Sequence, residues 1–290
     1  MKPHLLKVSV GPQYSFNIRR DIGPYFYNRL HFHPEIELVY IQKGTGTQFI
    51  GGNIDRFQSG DMILVGANLT HMWRCDEEYF SGKSESEVEA TVIHFHPNFL
   101  GTDFFHLPEH KFILNMLNHA AQGLRILGST KTQVAALLQK LLNAEDGERI
   151  ILLLSILHNI AKSQDIEIIT SYNIIIQHSP AEACKLDLIY QYVLSNFQER
   201  ITLQKAASLI NVSPKSFCRY FKSHTRKTFS SFLVEIRVSH ACKLLQQEGK
   251  SAYEACYESG FNNLSNFNRL FKKQTGKRPF QYKKEVKGKT

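Results

Sequence analysis

The 290-residue chain has one tryptophan and five cysteines, and it lacks any C-x-x-C pair. Cys75, Cys184, Cys218, Cys242 and Cys256 form an odd, scattered set. That argues against a disulfide framework or a zinc finger and fits a reducing cytoplasm. Long apolar runs are also missing. One of the longest, residues 150–157, is far short of the roughly 20 residues that a membrane-spanning helix needs. Met1-Lys2-Pro3-His4 leads into no apolar stretch, so no signal peptide is expected. No nucleophile elbow, P-loop or dinucleotide-binding glycine loop is present, and the enzyme classes built on them lose their support.

What is present suits two soluble domains: 290 residues, 42% of them hydrophobic. The net charge of +9 is unevenly placed. Residues 185–290 hold 20 Lys+Arg against 7 Asp+Glu, and residues 1–184 hold 15 against 19. A balance of +13 therefore sits on one third of the chain and −4 on the rest. A polyanion would be drawn to the C-terminal third. The basic helices expected there lack an exposed apolar face, so a membrane surface is a poor partner.

That third contains one phrase twice. Residues 217–222 and 267–272 both read F-x-R-x-F-K, fifty positions apart, and Thr225, Lys227 and Phe232 match Thr275, Lys277 and Tyr282. The offset predicts one supersecondary unit used twice, each copy a helix-turn-helix. Thr202 caps a helix over 203–210, Asn211-Val212 turns, and Ser213 caps a second helix with Pro214 at its first position. In the second copy Ser251 and Glu254 form a capping box, Gly260 takes the turn, Asn263 caps the next helix and Gly276 ends it. Helical spacing turns Phe217, Tyr220, Phe221 and His224 inward, with Phe267, Leu270 and Phe271 in the other copy. It turns Lys215, Ser216, Cys218, Arg219 and Lys222 outward, with Ser265, Asn266, Asn268, Arg269 and Lys272. Arginine can hold guanine O6/N7 and asparagine adenine N6/N7, so these are the candidate DNA-reading residues.

On these residues, together with Ile201-Thr202-Leu203, Ala206, Arg237, Ala241, Leu244-Leu245, Gly260-Phe261 and Pro279, residues 190–285 resemble the DNA-binding domain of the AraC/XylS family of bacterial transcription regulators. The resemblance implies two helix-turn-helix units joined by a long helix over 229–247. Its implied partners are double-stranded promoter DNA, a small-molecule effector such as a sugar, RNA polymerase, and a second copy in a homodimer. Arg226 departs from the pattern, which often has glycine there.

Residues 5–100 read as short strands broken by turns, for example 37–42, 47–50, 62–65 and 90–95, which predicts a small barrel or jelly roll. Inside it lies His31-x-His33-x3-Glu37-x6-Gly44, followed by Gly60-Asp61 and His71. This resembles the cupin pattern, a sensor domain often found ahead of the AraC-type domain. Strand alternation puts His31 and His33 on one face, Pro34 breaks that strand, Glu37 returns on the next and His71 comes from a third. Imidazoles with a carboxylate suit a divalent transition metal. A metal-free pocket, or groups that only hydrogen-bond one another, would use the same side chains. The second cupin motif departs here, with Gly66, Asn68, His71 and Cys75. Tyr27, Arg29, Trp73 and Arg74 are further candidate effector contacts, and Trp73 could equally plug the barrel.

Residues 83–89 read as an exposed acidic loop. From 109 the pattern is helical. Phe112, Met116 and Ala120 share one face; Val134, Leu137, Leu138, Leu141 and Leu142 share another. The apolar segment 150–161 can cover the barrel or meet a second subunit. The expected organisation is α+β: a cupin-like barrel over 1–108, a helical extension over 109–163, a linker over 164–184 and the all-α DNA-binding domain over 185–290. Three functions compete: an effector-controlled regulator that is not an enzyme, a metal-dependent cupin enzyme with an attached nucleic-acid module, and a constitutive DNA-binding protein whose barrel only dimerises.

Overall fold

The computed structural model describes residues 14–80, 87–170, 180–246 and 250–287. The start of the predicted β region, most of the acidic loop at 83–89 and residues 171–179 of the predicted linker lie outside the described residues. The chain divides into two compact units, Met1–Pro180 and Ala181–Thr290.

The first unit is built from nine described strands. These are β1 (Phe16–Gly23), β2 (Ile36–Lys43), β3 (Gly46–Ile50), β4 (Asn53–Phe57), β5 (Met62–Val65), β6 (His71–Cys75), β7 (Val88–Phe95), β8 (Leu124–Ile126) and β9 (Ile166–Ile168). They make a six-stranded sheet in the order β1-β7-β2-β5-β8-β9 and a three-stranded sheet in the order β4-β3-β6. Every described strand pair is antiparallel.

Alternation along the central strands separates two cores. Ile36, Leu38, Met62, Leu64, Ile93 and Phe95 face three helices, α1 (Lys111–His119), α2 (Gly128–Leu142) and α3 (Asp146–Lys162). Val39, Ile41, Ile63, Val65, Ala90 and Val92 face the other way, in one cluster with Ile50, Phe57, Trp73 and Cys75 of the smaller sheet. The helical extension therefore covers the large sheet within one chain: Leu153, Ile156, Leu157 and Ile160 of α3 are fully buried. Two expectations need correction. On α1 the inward residue beside Met116 is Ile113, not Phe112, whose exposed ring carries the Lys111 and Lys162 ammonium groups. Strands β8 and β9 also pair with each other inside the expected extension and linker. Three-residue strands are too short for their alternation to stand out from an apolar helix pattern.

The second unit is helical: α4 (Pro180–Asn196), α5 (Leu203–Ser208), α6 (Pro214–Thr225), α7 (Phe229–Gln246), α8 (Ala252–Glu258), α9 (Leu264–Thr275) and α10 (Pro279–Lys287). The caps are those the residues predict. Thr202 accepts from Lys205 N, Ser213 from Ser216 N and Asn263 from Asn266 N, and the Ser251–Glu254 capping box is complete. Phe217, Phe221, Phe267 and Phe271 are fully buried, while Tyr220 and His224 are partly so. The repeat is not gap-free. The Val212 amide donates to Ala207 O, and the Phe261 amide donates to Cys256 O, so the first helices and turns run at an offset of 49. One extra residue in the second turn restores the offset of 50 before Asn263. Arg226 ends α6 with φ +59° where Gly276 ends α9 with φ +76°.

Candidate functional site

Five buried polar side chains meet inside the first unit: His31, His33, Glu37, His71 and His94. Glu37 of β2 stands opposite His94 of β7. The stretch through His31 and His33 is not a regular strand. A single bridge pairs His31 with His71, with N···O distances of 3.1 and 2.9 Å, before the chain bends at Pro34 into β2. The two-residue spacing still brings both rings together. The His31 ring centroid is 4.2 Å from that of His71 and 5.9 Å from that of His33.

Hydrogen-bond partners fix the tautomers. Nδ1 of His31, His33 and His71 lies 2.8, 3.0 and 2.7 Å from the carbonyl oxygens of Arg29, Glu35 and Leu69. A carbonyl only accepts, so each Nδ1 carries hydrogen and each neutral ring points an Nε2 lone pair inward. His33 Nε2 is 2.8 Å and His71 Nε2 3.3 Å from Glu37 Oε2, and His71 Nε2 is buried without a hydrogen-bond partner. Ligand atoms of His31, His33, Glu37 and His71 all lie within 4.8 Å of one another. Such a ring of acceptors is repulsive unless a cation, a proton or a metal ion, sits among them. Three imidazoles and a carboxylate fit a divalent transition metal, and the Nδ1–carbonyl bonds are the outer contacts that orient histidine ligands.

His94 differs. Its Nδ1 lies 3.0 Å from Arg19 Nη1. Guanidinium only donates, so Nδ1 accepts and Nε2 carries the hydrogen that Glu37 Oε2 receives at 2.8 Å. Sequence reasoning misses this residue. The available signal is parity, since Val88, Ala90 and Val92 of the same strand line a cavity and His94 continues their alternation.

Burial, helped by the neighbouring His71, lowers the His31 pKa to about 3. Burial also lowers that of His94, against the pull of Glu37. For Glu37, burial alone would raise the pKa, but the attraction of His71, once a proton sits among these acceptors, and the hydrogen bond donated by His94 hold it well below the usual carboxylate range.

A cavity of about 360 Å³ adjoins this cluster. Its apolar wall comes from Val39, Ile41, Val88, Ala90 and Val92, and Tyr27, His31, Glu37 and Trp73 supply polar groups. Trp73 Nε1 is buried and unpartnered. His33 and His71 sit in the cluster but do not line the cavity. Arg29 does not line it either; its carbonyl serves His31. Arg74 follows Trp73 on β6, so it faces the opposite side and lies beside Glu77 and the Phe80 ring.

In the second unit, Lys215, Cys218, Arg219 and Lys222 on α6 are exposed, and so are Ser265, Asn266, Asn268, Arg269 and Lys272 on α9. Ser216 is half-buried and tied to its cap by a hydroxyl bond from Ser213 at 3.0 Å. Arg269 Nη2 donates to Asn266 Oδ1 at 2.8 Å, which holds two candidate base-readers side by side.

Comparison with known proteins agrees with both halves. Residues 17–144 match the AraC-like ligand binding domain, and residues 206–285 match a helix-turn-helix domain. The HTH-type transcriptional regulator YdeC of Bacillus subtilis (strain 168) is 24% identical over 279 residues, covering 93% of this chain and 90% of its own length. The HTH-type transcriptional activator RhaS of Enterobacter sp. (strain 638) is 21% identical over 251 residues, covering 84% and 83%. A regulator encoded in the cgkA 5' region of Pseudoalteromonas carrageenovora is 34% identical over 101 residues, 35% of this chain and 60% of that protein's length. No described helix is long and apolar enough to cross a membrane. With an AraC-like ligand-binding domain ahead of a repeated helix-turn-helix, the chain belongs to the AraC family of DNA-binding transcription regulators.

Proposed function

We propose that a small molecule in the 360 Å³ cavity controls promoter binding by the second unit. The observation that carries this reading is the cavity itself, which has ligand dimensions, an apolar wall and a few convergent polar groups. The Trp73 indole N–H, buried without a partner, supports an effector that presents a hydrogen-bond acceptor, such as a sugar oxygen. Tyr27, His31 and Glu37 complete its contacts, and His33 and His71 act from behind. A divalent transition metal held by His31, His33, Glu37 and His71 belongs to the same site, because their lone pairs converge without enough protons to separate them.

Arg219, Asn266, Asn268 and Arg269 read base edges, while Lys215, Lys222 and Lys272 contact phosphate. Ser216, Cys218 and Ser265 complete the two facing surfaces. The chain acts in the cytoplasm as a homodimer, with the outer side of α3, where Ile151 is 65% exposed, as the pairing face. RNA polymerase is a partner at the promoter. The reading assigns binding to the barrel, not turnover.

A thermal-shift screen of the full chain against a metabolite panel rich in sugars tests the sensor. Saturation at a hundred times Kd stabilises by about 2.7 kcal/mol and raises the melting temperature by several degrees. Val92→Phe, which fills the cavity, should abolish that shift while leaving effector-free DNA binding intact. A panel hit that shifts Val92→Phe equally would place the ligand elsewhere.

A further inference from the structure

We infer that His94 is a positioning residue: it fixes Glu37 for a divalent transition metal and, through Arg19, ties the affinity for that ion to the cavity wall. The inference rests on the metal reading of the histidine cluster. Four side chains form a chain of hydrogen bonds, and each link can run in one direction only. Both Asp21 carboxylate oxygens lie 2.9 Å from Arg19 Nε. Arg19 Nη1 donates to His94 Nδ1 at 3.0 Å, and His94 Nε2 donates to Glu37 Oε2 at 2.8 Å. The opposite His94 tautomer would set an N–H against the guanidinium and a lone pair against the carboxylate, so both contacts would repel.

This direction separates His94 from the other three histidines. Their Nδ1–H groups bond backbone carbonyls and leave Nε2 free to ligate, whereas His94 Nε2 holds a hydrogen and donates it. It therefore does the work of the group behind a metal-binding carboxylate: it restrains the rotamer and takes up part of the charge. The chain also reaches outward. Arg19 and Asp21 line the cavity, with side chains 40% and 43% exposed. A small molecule that engages either one changes the donor strength at His94, and so changes how firmly Glu37 is held.

The test uses the full chain, stripped with a chelator and titrated with Co2+ and Zn2+ against a chromophoric competitor. The unmodified chain should bind one equivalent. His94→Phe keeps a ring of similar size but cannot donate, and should weaken binding 10- to 100-fold. His94→Gln, whose amide can donate from a similar place, should recover most of that loss. Arg19→Met, which leaves the buried ring untouched, should weaken binding several-fold. The Co2+ absorption spectrum should keep its shape in all of these variants, because the ligand set is unchanged. Failure of the unmodified chain to bind either ion would overturn the metal reading and this inference with it. Equal affinity in the unmodified chain, His94→Phe and Arg19→Met would overturn the inference alone. An altered Co2+ spectrum in His94→Phe would make His94 a ligand, which also overturns it.

Discussion

Taking the full chain from pH 6.5 to pH 4 should destabilise the first unit by roughly 3 kcal/mol through His31 alone, at about 1.4 kcal/mol per pH unit. Burial lowers the folded pKa of His31 from 6.5 to about 3, so the unfolded chain binds a proton across this window and the folded chain does not. Stability is therefore full above pH 6.5 and falls as the pH drops toward 3. His94, also lowered, adds loss of the same sign. Glu37, held well below the usual range, adds more once the pH is under the ordinary carboxylate pKa of about 4.5. Trp73 is the only tryptophan, and its ring lies 5.3 Å from that of His71, so its fluorescence during urea unfolding reports this unit directly. A midpoint that stays constant between pH 6.5 and 4 would mean that the buried imidazoles are already charged.

Gly260→Ala should destabilise the second unit by about 3 kcal/mol or more and abolish DNA binding by the full chain. Two costs combine. Gly260 has φ +81°, a left-handed conformation that costs an L-residue about 1–2 kcal/mol. A Cβ there would also lie 2.5 Å from Phe197 O and 2.8 Å from Gln198 Cα, backbone atoms that cannot step aside, and overpacking adds about 1–3 kcal/mol. Gly276 is the control. Its φ is +76° but a Cβ would meet nothing within 4 Å, so Gly276→Ala should cost only the conformational term. The chain already tolerates the same geometry at Arg226, the matching position of the first repeat. Circular dichroism during thermal unfolding separates the two substitutions; equal losses would show that the close approach at Gly260 is relieved by backbone movement.

The second unit is legible in the sequence almost residue by residue, because its signals are local. A cap hydroxyl, a left-handed glycine and a phenylalanine at i, i+4 each act within one turn of helix. The residue inserted in the second turn is harder to see, because the strong F-x-R-x-F-K phrase sets the register only for the helix that bears it and the residues C-terminal to it. In the first unit the cluster members His31, His33, Glu37 and His71 are visible from spacing, but His94 is not. Its role comes from cross-strand register with Glu37 and from an arginine on β1, and neither relation is written in local sequence. Arg29 stands two residues from His31, a proximity that suggests a cavity contact, yet its link to the cluster is its backbone carbonyl. Strands β8 and β9 are hidden for a related reason: three residues each, they are held by partners rather than by their own pattern.

The most direct test of the account is a binding-site selection with the full chain, in parallel with Arg219→Ala and Arg269→Ala. Two recognition helices with different exposed faces should select two dissimilar subsites, with centres about 34 Å apart along the duplex. Each arginine substitution should cost about 1–3 kcal/mol and relax sequence preference in its own subsite alone. Selection of the same motif by all three proteins, with the same information at every position, would contradict the assignment of these helices as the readers of DNA.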